Sequence, residues 1–550
     1  MILRTAIHSS LLVLATAGLV ACGGSDDDDT LPASVQVGDT IVLTSAGRLV
    51  SFNRAAPATE VGAVAVTGLA SGDALVGIDL RPADGALYAL GTSGNLYTVD
   101  PSTGVATRKS TLIAAPGDSA PYTALTGTQF AVDFNPAADR LRVVSDTGLK
   151  LRINVDTGEA TTDGSITPAT TFVTAAAYTN SFAGTVGTQL FGIDAAAGRL
   201  VLQDPPNDGV VNAGVPLGVV ADTANGFDID PRTNTGYAAL RVGGSTALYT
   251  IDLAATGNAA TRVATIAGGE AVRGLALNGP AKLQALALSA DNRLLAFDPA
   301  APNTITATMP ITGLQAGDTV LGIDFRPRDG MLYALATGGR LYTVDAANGA
   351  ATLRATLMAD PTDATAPYAG LTAPRYTVDF NPVADRMRAI GSDGQNLRIV
   401  VETATTNGTT VTAGRTITDG AINRAGTPAS VIASAYTNSF AGTTATALYN
   451  LDETSDQLTL QNPPNDGTQV NVGALGLDVT GAAGFDIAGG GNGAALAALR
   501  NGATGPFTLY SVTLATGATA LYRNTTGDAS RSLIGGAGGP TNLVDLALRF

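Results

Sequence analysis

The chain has 550 residues, among them 66 glycines and only three lysines, and its formal charge is −15. It contains no basic cluster, so we do not expect nucleic acid as a partner. Its one histidine, His8, and its one cysteine, Cys22, lie in or beside an N-terminal leader, so a mature chain that begins at Cys22 excludes Ser-His-Asp, Cys-His and zinc chemistry from its own residues.

Residues 1–21 resemble a bacterial lipoprotein signal peptide. Arg4 is followed by an apolar run from Leu11 to Val20, too short for a mature membrane span, and the sequence Leu-Val-Ala-Cys ending at Cys22 resembles a lipobox. The resemblance implies lipid on Cys22, and several acyl chains on one residue would anchor the chain firmly to a membrane. A plain secretory leader is the alternative. By analogy with other lipoproteins, Gly23 favours the outer membrane within the cell envelope, on either its periplasmic or its surface face.

Residues 22–38 are expected to form a flexible acidic tether. Four consecutive aspartates, Asp26 to Asp29, follow a Gly-Gly-Ser run, with no apolar residue nearby to pack. A calcium site is one interpretation of such a run, but adjacent like charges repel one another and usually form solvated spacers.

A duplication organises the rest of the chain. The stretch 76–107 returns almost letter for letter at 321–352, which predicts two similar domains at 39–280 and 281–550. Each half has about 245 residues, a plausible size for one domain.

The repeated stretch has the pattern of a β-meander. Short apolar runs such as Leu87 to Leu90 alternate with turn-forming residues such as Asp84-Gly85. Both faces of these runs are apolar, as in a sheet packed between two others. We therefore predict an all-β chain with two tandem β-propellers of about five four-stranded blades each.

The spacing of the opening strands supports this count. Successive openings are separated by about 45 to 54 residues, typical of a propeller blade. In the first half they fall near Gly77, Ala131, Ala176, Gly226 and Gly274, and in the second half near Gly322, Thr377, Ser434, Gly484 and Asp545. The second half carries about twelve extra residues around 401–419, which we place on a loop because an insertion inside a strand would turn its side chains to the other face.

The first blade of each half lacks an inner strand at its start. We predict that Gly274–Asn278 and Asp545–Arg549 supply these strands, so that the N- and C-terminal strands of each half close its ring. A closing strand as early as Gly274 favours two separate rings over one larger ring.

Several longer motifs carry a family resemblance. The first half contains Val132-Asp133-Phe134-Asn135-Pro136 with Asp139-Arg140, the octapeptide Ala177-Tyr178-Thr179-Asn180-Ser181-Phe182-Ala183-Gly184, and Pro205-Pro206-Asn207-Asp208-Gly209, and the second half echoes all three. From about Thr40 onward the chain resembles the bacterial family of domain of unknown function 4394, which looks propeller-like. The resemblance implies a secreted or envelope protein with single or tandem copies of the domain, and it implies no reaction.

Equivalent positions on the opening strands give the candidate site. In both halves the order of residue types is Asp, Asp, Tyr, Asp, Ala. The candidates for a cation or ligand site are Asp79, Asp133, Tyr178, Asp228, Asp324, Asp379, Tyr436 and Asp486. Convergence of three carboxylates and a phenol at an axis would suit a hard cation such as Ca²⁺ or raise a carboxylate pKa. The favoured alternative is structural, because such aspartates often accept backbone N–H groups of a turn or a neighbouring blade.

A second repeated group consists of arginines. Its members are Arg140, Arg142, Arg152, Arg386, Arg388 and Arg398. They are expected to form exposed ion pairs with Asp139, Asp146 or Asp156 and their counterparts, which contribute little stability, and an anion site is the alternative.

These observations predict a non-enzymatic, lipid-anchored propeller pair that binds an envelope protein, a polymer or a small ligand and has no resident cofactor. The alternative function is a carboxylate- or metal-dependent hydrolase or lyase that uses the axial aspartates, an analogy at the level of fold. A passive surface protein is a third interpretation.

Overall fold

The computed structural model describes residues 34–279, 282–406, 409–425, 427–491, 493–522 and 528–550. The predicted signal peptide, Cys22 and most of the tether lie outside these residues. The described chain consists of β-strands, turns and three short 3-10 helices at Pro464–Asp466, Ala529–Ser532 and Gly536–Gly538. None of its helices has the length and apolar character needed to cross a membrane.

The first half contains strands β1 to β21. In chain order they are β1 (Thr40–Thr44), β2 (Arg48–Phe52), β3 (Glu60–Ala65), β4 (Leu75–Leu80), β5 (Leu87–Gly91), β6 (Asn95–Val99), β7 (Ala106–Thr111), β8 (Ile113–Ala114), β9 (Phe130–Asn135), β10 (Arg140–Ser145), β11 (Lys150–Ile153), β12 (Glu159–Thr162), β13 (Val173–Tyr178), β14 (Leu190–Asp194), β15 (Arg199–Gln203), β16 (Val215–Pro216), β17 (Gly226–Asp230), β18 (Thr235–Val242), β19 (Ser245–Ile251), β20 (Ala260–Thr265) and β21 (Val272–Leu277).

The second half contains strands β22 to β46. In chain order they are β22 (Gln284–Ser289), β23 (Arg293–Phe297), β24 (Ile305–Pro310), β25 (Val320–Phe325), β26 (Leu332–Ala336), β27 (Arg340–Val344), β28 (Ala351–Thr356), β29 (Met358–Ala359), β30 (Tyr376–Asn381), β31 (Arg386–Gly391), β32 (Asn396–Ile399), β33 (Ala404–Thr406), β34 (Thr409–Val411), β35 (Arg415–Thr418), β36 (Asn423–Arg424), β37 (Thr427–Pro428), β38 (Val431–Tyr436), β39 (Leu448–Asp452), β40 (Gln457–Gln461), β41 (Gln469–Ala474), β42 (Gly484–Ala488), β43 (Ala494–Leu499), β44 (Thr508–Val512), β45 (Thr519–Leu521) and β46 (Leu543–Arg549).

The strands form two tandem β-propellers, and each has five blades. In the first propeller the blades are the sheets β21-β1-β2-β3, β4 to β7, β8-β12-β11-β10-β9, β13 to β16 and β17 to β20. The second propeller repeats this order with β24-β23-β22-β46, β25 to β28, β29-β35-β32-β31-β30, β38 to β41 and β42 to β45. The predicted count of five is confirmed, although the third blade of each half gains a short fifth strand that pairs in parallel, β8 or β29.

The predicted pairing between the ends of each half is also confirmed. Strand β21 pairs antiparallel with β1, so that Val42 lies opposite Leu275, and β46 pairs antiparallel with β22, so that Leu286 lies opposite Ala547. The first blade of each propeller therefore takes its inner strand from the end of the same half.

The inner strands form the most buried part of each propeller. In the first, β4, β9, β13, β17 and β21 contact one another in turn, and β21 also contacts β4. Every residue of β4, β13 and β17 is buried. Apolar side chains fill the layers between neighbouring blades, for example around Tyr88, Phe134 and Leu141. Burial on both sheet faces explains why the sequence of these strands is apolar at successive positions.

The extra residues of the second half form a hairpin, β33–β34, outside the third blade. The insertion therefore lies between strands β32 and β35, and the sheet that contains them keeps the register of its counterpart. This agrees with the predicted position on a loop.

Candidate functional site

Each propeller brings three aspartates together among its inner strands. In the first propeller they are Asp79 on β4, Asp133 on β9 and Asp228 on β17. One carboxylate oxygen from each lies within 4.8 Å of the other two, and each residue is at most 5% exposed. The inner strands position them because equivalent residues of neighbouring blades face the same axis.

Most of the carboxylate oxygens in this cluster accept a hydrogen bond from a backbone N–H group. Oδ1 of Asp79 accepts the N–H of Leu80, and Oδ2 accepts the N–H of Phe134 on the next inner strand, each at 2.7 Å. Asp228 likewise accepts the N–H of its own neighbour, and its Oδ2 accepts the N–H of Leu277 at 2.7 Å. Each of these carboxylates thus joins two blades, which is the structural role anticipated for them.

The predicted tyrosine contributes to the cluster through its backbone. Oδ1 of Asp133 accepts the N–H of Tyr178 at 2.9 Å, so this link also runs to the next blade. The hydroxyl of Tyr178 accepts a hydrogen bond from Nε of Arg142 at 3.1 Å. The phenol oxygen is therefore engaged by an arginine.

The second propeller repeats the arrangement and adds a fourth carboxylate. Asp324, Asp379 and Asp486 again place oxygens within 4.8 Å of one another. Asp545 on β46 lies close by, and its Oδ2 accepts the N–H of Ile323 at 2.9 Å. The first half has Gly274 at the equivalent position, as the pairing of β21 and β46 shows.

The hydrogen bonds of the second cluster match those of the first. Oδ2 of Asp324 accepts the N–H of Phe380 at 2.7 Å, and Oδ1 of Asp379 accepts the N–H of Tyr436 at 3.0 Å. The hydroxyl of Tyr436 accepts from Nε of Arg388 at 3.2 Å.

Burial changes the protonation of these carboxyls. It is the largest cause that raises the pKa of Asp228 to about 6 and that of Asp486 to about 7, against the opposing effect of the backbone hydrogen bonds. Burial, followed by repulsion from a neighbouring carboxylate, raises the pKa of the other members well above its usual range. These members are Asp79, Asp133, Asp324 and Asp379. Each cluster is thus suited to hold protons between its carboxyls, whereas the backbone N–H groups already bound to most of its oxygens oppose the binding of a hard cation.

The arginines predicted to form exposed pairs are placed differently. Arg142 is 1% exposed, and its guanidinium binds Asp163 and, at 2.7 Å, Oδ1 of Asn207. Arg152 also pairs with Asp163, at 2.9 Å. The expected partners Asp139, Asp146 and Asp156 were wrong for these arginines, because Asp163 follows β12, which folds back beside β11. The second propeller repeats this cluster with Arg388, Arg398 and Asp419.

The carboxylates first assigned to those arginines belong to other contacts. Asp139 and Asp156 both pair with Arg81, at 2.6 and 3.0 Å, and Asp146 accepts the backbone N–H of Thr128. Arg140, the third arginine of the first-half group, donates to backbone carbonyls. These networks join the ends of neighbouring blades.

A cleft of about 1400 Å³ lies between the two propellers. The first propeller lines it with three loops, 82–85, 136–139 and 183–186, each of which joins the inner strand of a blade to the next strand. The second propeller contributes mainly 282–286 and 296–301. Sequence reasoning missed this cleft because its shape depends on how the two propellers dock.

Aromatic contacts hold the docked propellers together. Phe182 of the first propeller is fully buried, and its ring centre lies 4.9 Å from that of Phe550. The hydroxyl of Tyr522 donates to the carbonyl of Gly184 at 2.5 Å. The octapeptide noted in the sequence therefore includes the docking loop of the first propeller.

A glycine-rich turn of the second propeller completes the contact. Nδ2 of Asn234 donates to the carbonyl of Gly490 at 2.7 Å, and a Cβ on Gly490 would lie 2.2 Å from the carbonyl oxygen of Thr233. This turn joins β42 to β43, and the absence of a side chain on Gly490 permits the close approach.

The comparisons with known proteins concern the same residues. A family model described as "Domain of unknown function (DUF4394)" matches residues 48–276 and 293–533. No curated protein matches the chain.

Three solved structures resemble the chain. The Dos1 propeller is 12% identical, with 65% of this chain and 90% of that chain covered and a TM-score of 0.24. The Cps50 (Swd1) β-propeller domain of Myceliophteria thermophila is 12% identical, with 71% and 99% covered and a TM-score of 0.23. A protein from Lactobacillus plantarum is 15% identical, with 66% and 95% covered and a TM-score of 0.24.

Proposed function

The chain belongs to the family described as a domain of unknown function, DUF4394, and we propose that it is a lipid-anchored binding scaffold of the cell envelope. The cleft of about 1400 Å³ carries this proposal, because ligand sites commonly form where two domains meet. Ten blades with two buried axes supply a rigid frame, and loops from both propellers supply the walls. The ligand belongs to one of three classes, an envelope protein, a polymer or a small molecule, and the site needs no resident cofactor.

The proposed anchor is lipid on Cys22, with the outer membrane as its location. The lipobox-like sequence that ends at Cys22 and the charged tether that follows support this placement. Metabolic labelling with a palmitate analogue, followed by membrane fractionation, tests it. The wild-type chain should carry label and sediment with outer membranes, whereas Cys22→Ser should lose the label and leave the membrane fraction. Equal sedimentation of an unlabelled Cys22→Ser chain would contradict the anchor.

Blocking the cleft tests the binding function. Ala138 and Ala301 are exposed on opposite walls, so Ala138→Trp and Ala301→Trp should fill the space without removing a charge. Full-length protein purified in detergent would be offered to envelope extract and crosslinked, and the products compared by mass. Both variants should lose the crosslinked products of the wild type, while Ala58→Trp, an exposed substitution outside the cleft lining, should keep them. Unchanged products from both cleft variants would remove the proposal.

The alternative of a hydrolase or lyase would use the axial aspartates. Their carboxylates are buried and bonded to backbone N–H groups of neighbouring blades, a setting that favours a structural role over contact with a large substrate. The binding function is therefore the better supported of the two.

A further inference from the structure

The second-propeller wall of the cleft carries three cations. They are Lys282, Arg531 and Arg549. Lys282 is one of three lysines in the whole chain, and both Lys282 and Arg531 are exposed. In a chain with a formal charge of −15, such a group creates a local potential opposite in sign to the surroundings.

These cations are weakly compensated by carboxylates. Nε of Arg549 donates to Gln284 at 2.9 Å, and its guanidinium lies 4.7 Å from the ring centre of Phe325. The nearest carboxylate to Arg531 is that of Asp528, at 4.0 Å, and these side chains are 64% and 55% exposed. Within the described residues Lys282 has no ion pair, so all three cations keep hydrogen-bonding capacity for a ligand.

The carboxylates of the cleft do not cancel this group. Asp84 and Asp139 lie on the opposite wall, where the single guanidinium of Arg81 binds both at 3.1 and 2.6 Å, so the negative charge of the cleft lies mainly on that wall and the positive charge on the second-propeller wall. On the second-propeller wall Asp298 is exposed and accepts the N–H of Ala300. Among the described residues this wall has Asp298 in its lining and Asp528 beside Arg531, against three cations, so it favours an anionic ligand.

The form of the cleft favours a polypeptide among anionic ligands. Thr306 on β24 and Leu521 on β45 line it, and both strands are the outermost members of their sheets. Such strands offer one backbone edge that an extended peptide can pair with. Among the described lining residues the aromatic one is Phe297, which is 3% exposed, so the described part of the walls presents no aromatic face for stacking of sugar rings.

From these observations we infer that the cleft binds an acidic, extended polypeptide segment, whose carboxylates face Lys282, Arg531 and Arg549. The inference rests on the proposed binding function and specifies its ligand. Backbone pairing at the cleft edges supplies orientation, and the cations supply selection for acidic sequences.

Fluorescence anisotropy tests the inference with full-length protein in detergent. The probe is a fluorescein-labelled peptide of alternating aspartate and alanine, and a lysine-alanine peptide is its control. The acidic peptide should bind, more weakly as salt rises, and the basic peptide should not. The double variant Lys282→Glu/Arg531→Glu should weaken binding about tenfold, since two charge contacts are reversed. Arg293→Glu, an exposed change outside the cleft lining, should bind as the wild type does.

Three results would overturn the inference. They are absence of binding by the acidic peptide, equal binding by the double variant, and tighter binding of a polyuronate such as alginate than of the acidic peptide. The cleft-blocking variants show whether the acidic-ligand inference alone is wrong or the proposed binding function is wrong as well. If Ala301→Trp removes the envelope crosslinks while Lys282→Glu/Arg531→Glu leaves the affinity for the acidic peptide unchanged, the binding function is supported and the acidic ligand is contradicted. If both Ala138→Trp and Ala301→Trp leave the crosslinks intact, the binding function and the acidic ligand are both contradicted.

Discussion

Two glutamines at equivalent positions of the fourth blades offer a matched test of buried hydrogen bonding. Oε1 of Gln461 accepts from Nδ2 of Asn450 at 2.8 Å and from Nε2 of Gln469 at 3.1 Å, and its Nε2 donates to the carbonyl of Pro464 at 2.6 Å. Gln461 is therefore fully engaged in its blade.

The counterpart in the first propeller, Gln203, lacks these partners. The strand registers place Gly192 and Val211 where the second half has Asn450 and Gln469. Gln203 is 1% exposed, and neither of its amide atoms has a hydrogen-bond partner among the residues that the structure describes. A buried polar group left unpaired costs about 1 to 3 kcal/mol.

We expect Gln203→Met and Gln461→Met to have opposite effects. Gln203→Met keeps the shape and removes an unpaired amide, so it should raise the free energy of unfolding by about 1 to 3 kcal/mol. Gln461→Met removes three hydrogen bonds, each with a net value of about 0.5 to 1.5 kcal/mol, so it should lower stability by about 2 to 4 kcal/mol. For a domain of this size, 1 kcal/mol changes Tm by about 2 to 4 °C.

Differential scanning calorimetry of the full chain provides the measurement, with far-UV circular dichroism as a second probe because the chain has no tryptophan. The transition that each variant moves identifies its propeller. A fall in Tm for Gln203→Met as large as that for Gln461→Met would refute the reasoning, since it would mean that the amide of Gln203 is as well bonded as that of Gln461.

Three further predictions concern the axial clusters and the docking of the propellers. The folded-state pKa of Asp228 is raised to about 6 and that of Asp486 to about 7, so the stability that these carboxyls contribute is full below the unfolded pKa of about 4 and is lost as pH rises through 6 to 7. Thermal melts should therefore show Tm falling between pH 4 and 8. The double variant Asp228→Asn/Asp486→Asn should make Tm depend less on pH in this range. Addition of Ca²⁺ should leave Tm unchanged and release no binding heat in titration calorimetry, because five of six carboxylate oxygens in the first cluster already accept backbone N–H groups. A saturable binding heat together with a higher Tm would establish a cation site instead. Phe182→Ala should destabilise the docked second propeller by about 3 to 5 kcal/mol in calorimetry. Phe440→Ala, a change of the partly exposed phenylalanine in the second copy of the octapeptide, should have a smaller effect. Equal losses of stability would contradict the docking role of Phe182.

Much of the fold could be predicted because a propeller repeats local information. Each blade is a meander whose strands and turns are adjacent in the chain, so spacing alone indicated five blades in each half. The long-range pairing of Val42 with Leu275 was also predictable, because a half-blade at one end requires an inner strand from the other. The short parallel strands β8 and β29 were missed, since two residues give no detectable pattern.

The candidate site was less predictable, because side-chain partners depend on three-dimensional neighbours. The equivalence of Asp79, Asp133 and Asp228 followed from the repeats, and their proximity follows from the shared axis. The partner of Arg142 did not follow, because Asp163 reaches it through strand pairing across the blade. The cleft depends on contacts between whole propellers, for which the sequence offered only the repeated octapeptide that contains Phe182.

Differences between the two halves carry the functional argument further than their similarities do. The axial aspartates recur in both halves because each propeller needs the same links between blades, so their repetition is explained by the fold. The cations of the cleft do not recur. By the registers of β21 with β1 and β46 with β22, the first propeller has Asn278 where the second has Arg549, and Val37 where the second has Lys282. Positive charge at these positions is therefore specific to the wall that faces the cleft, which is the reason to seek the ligand there and not at the axes.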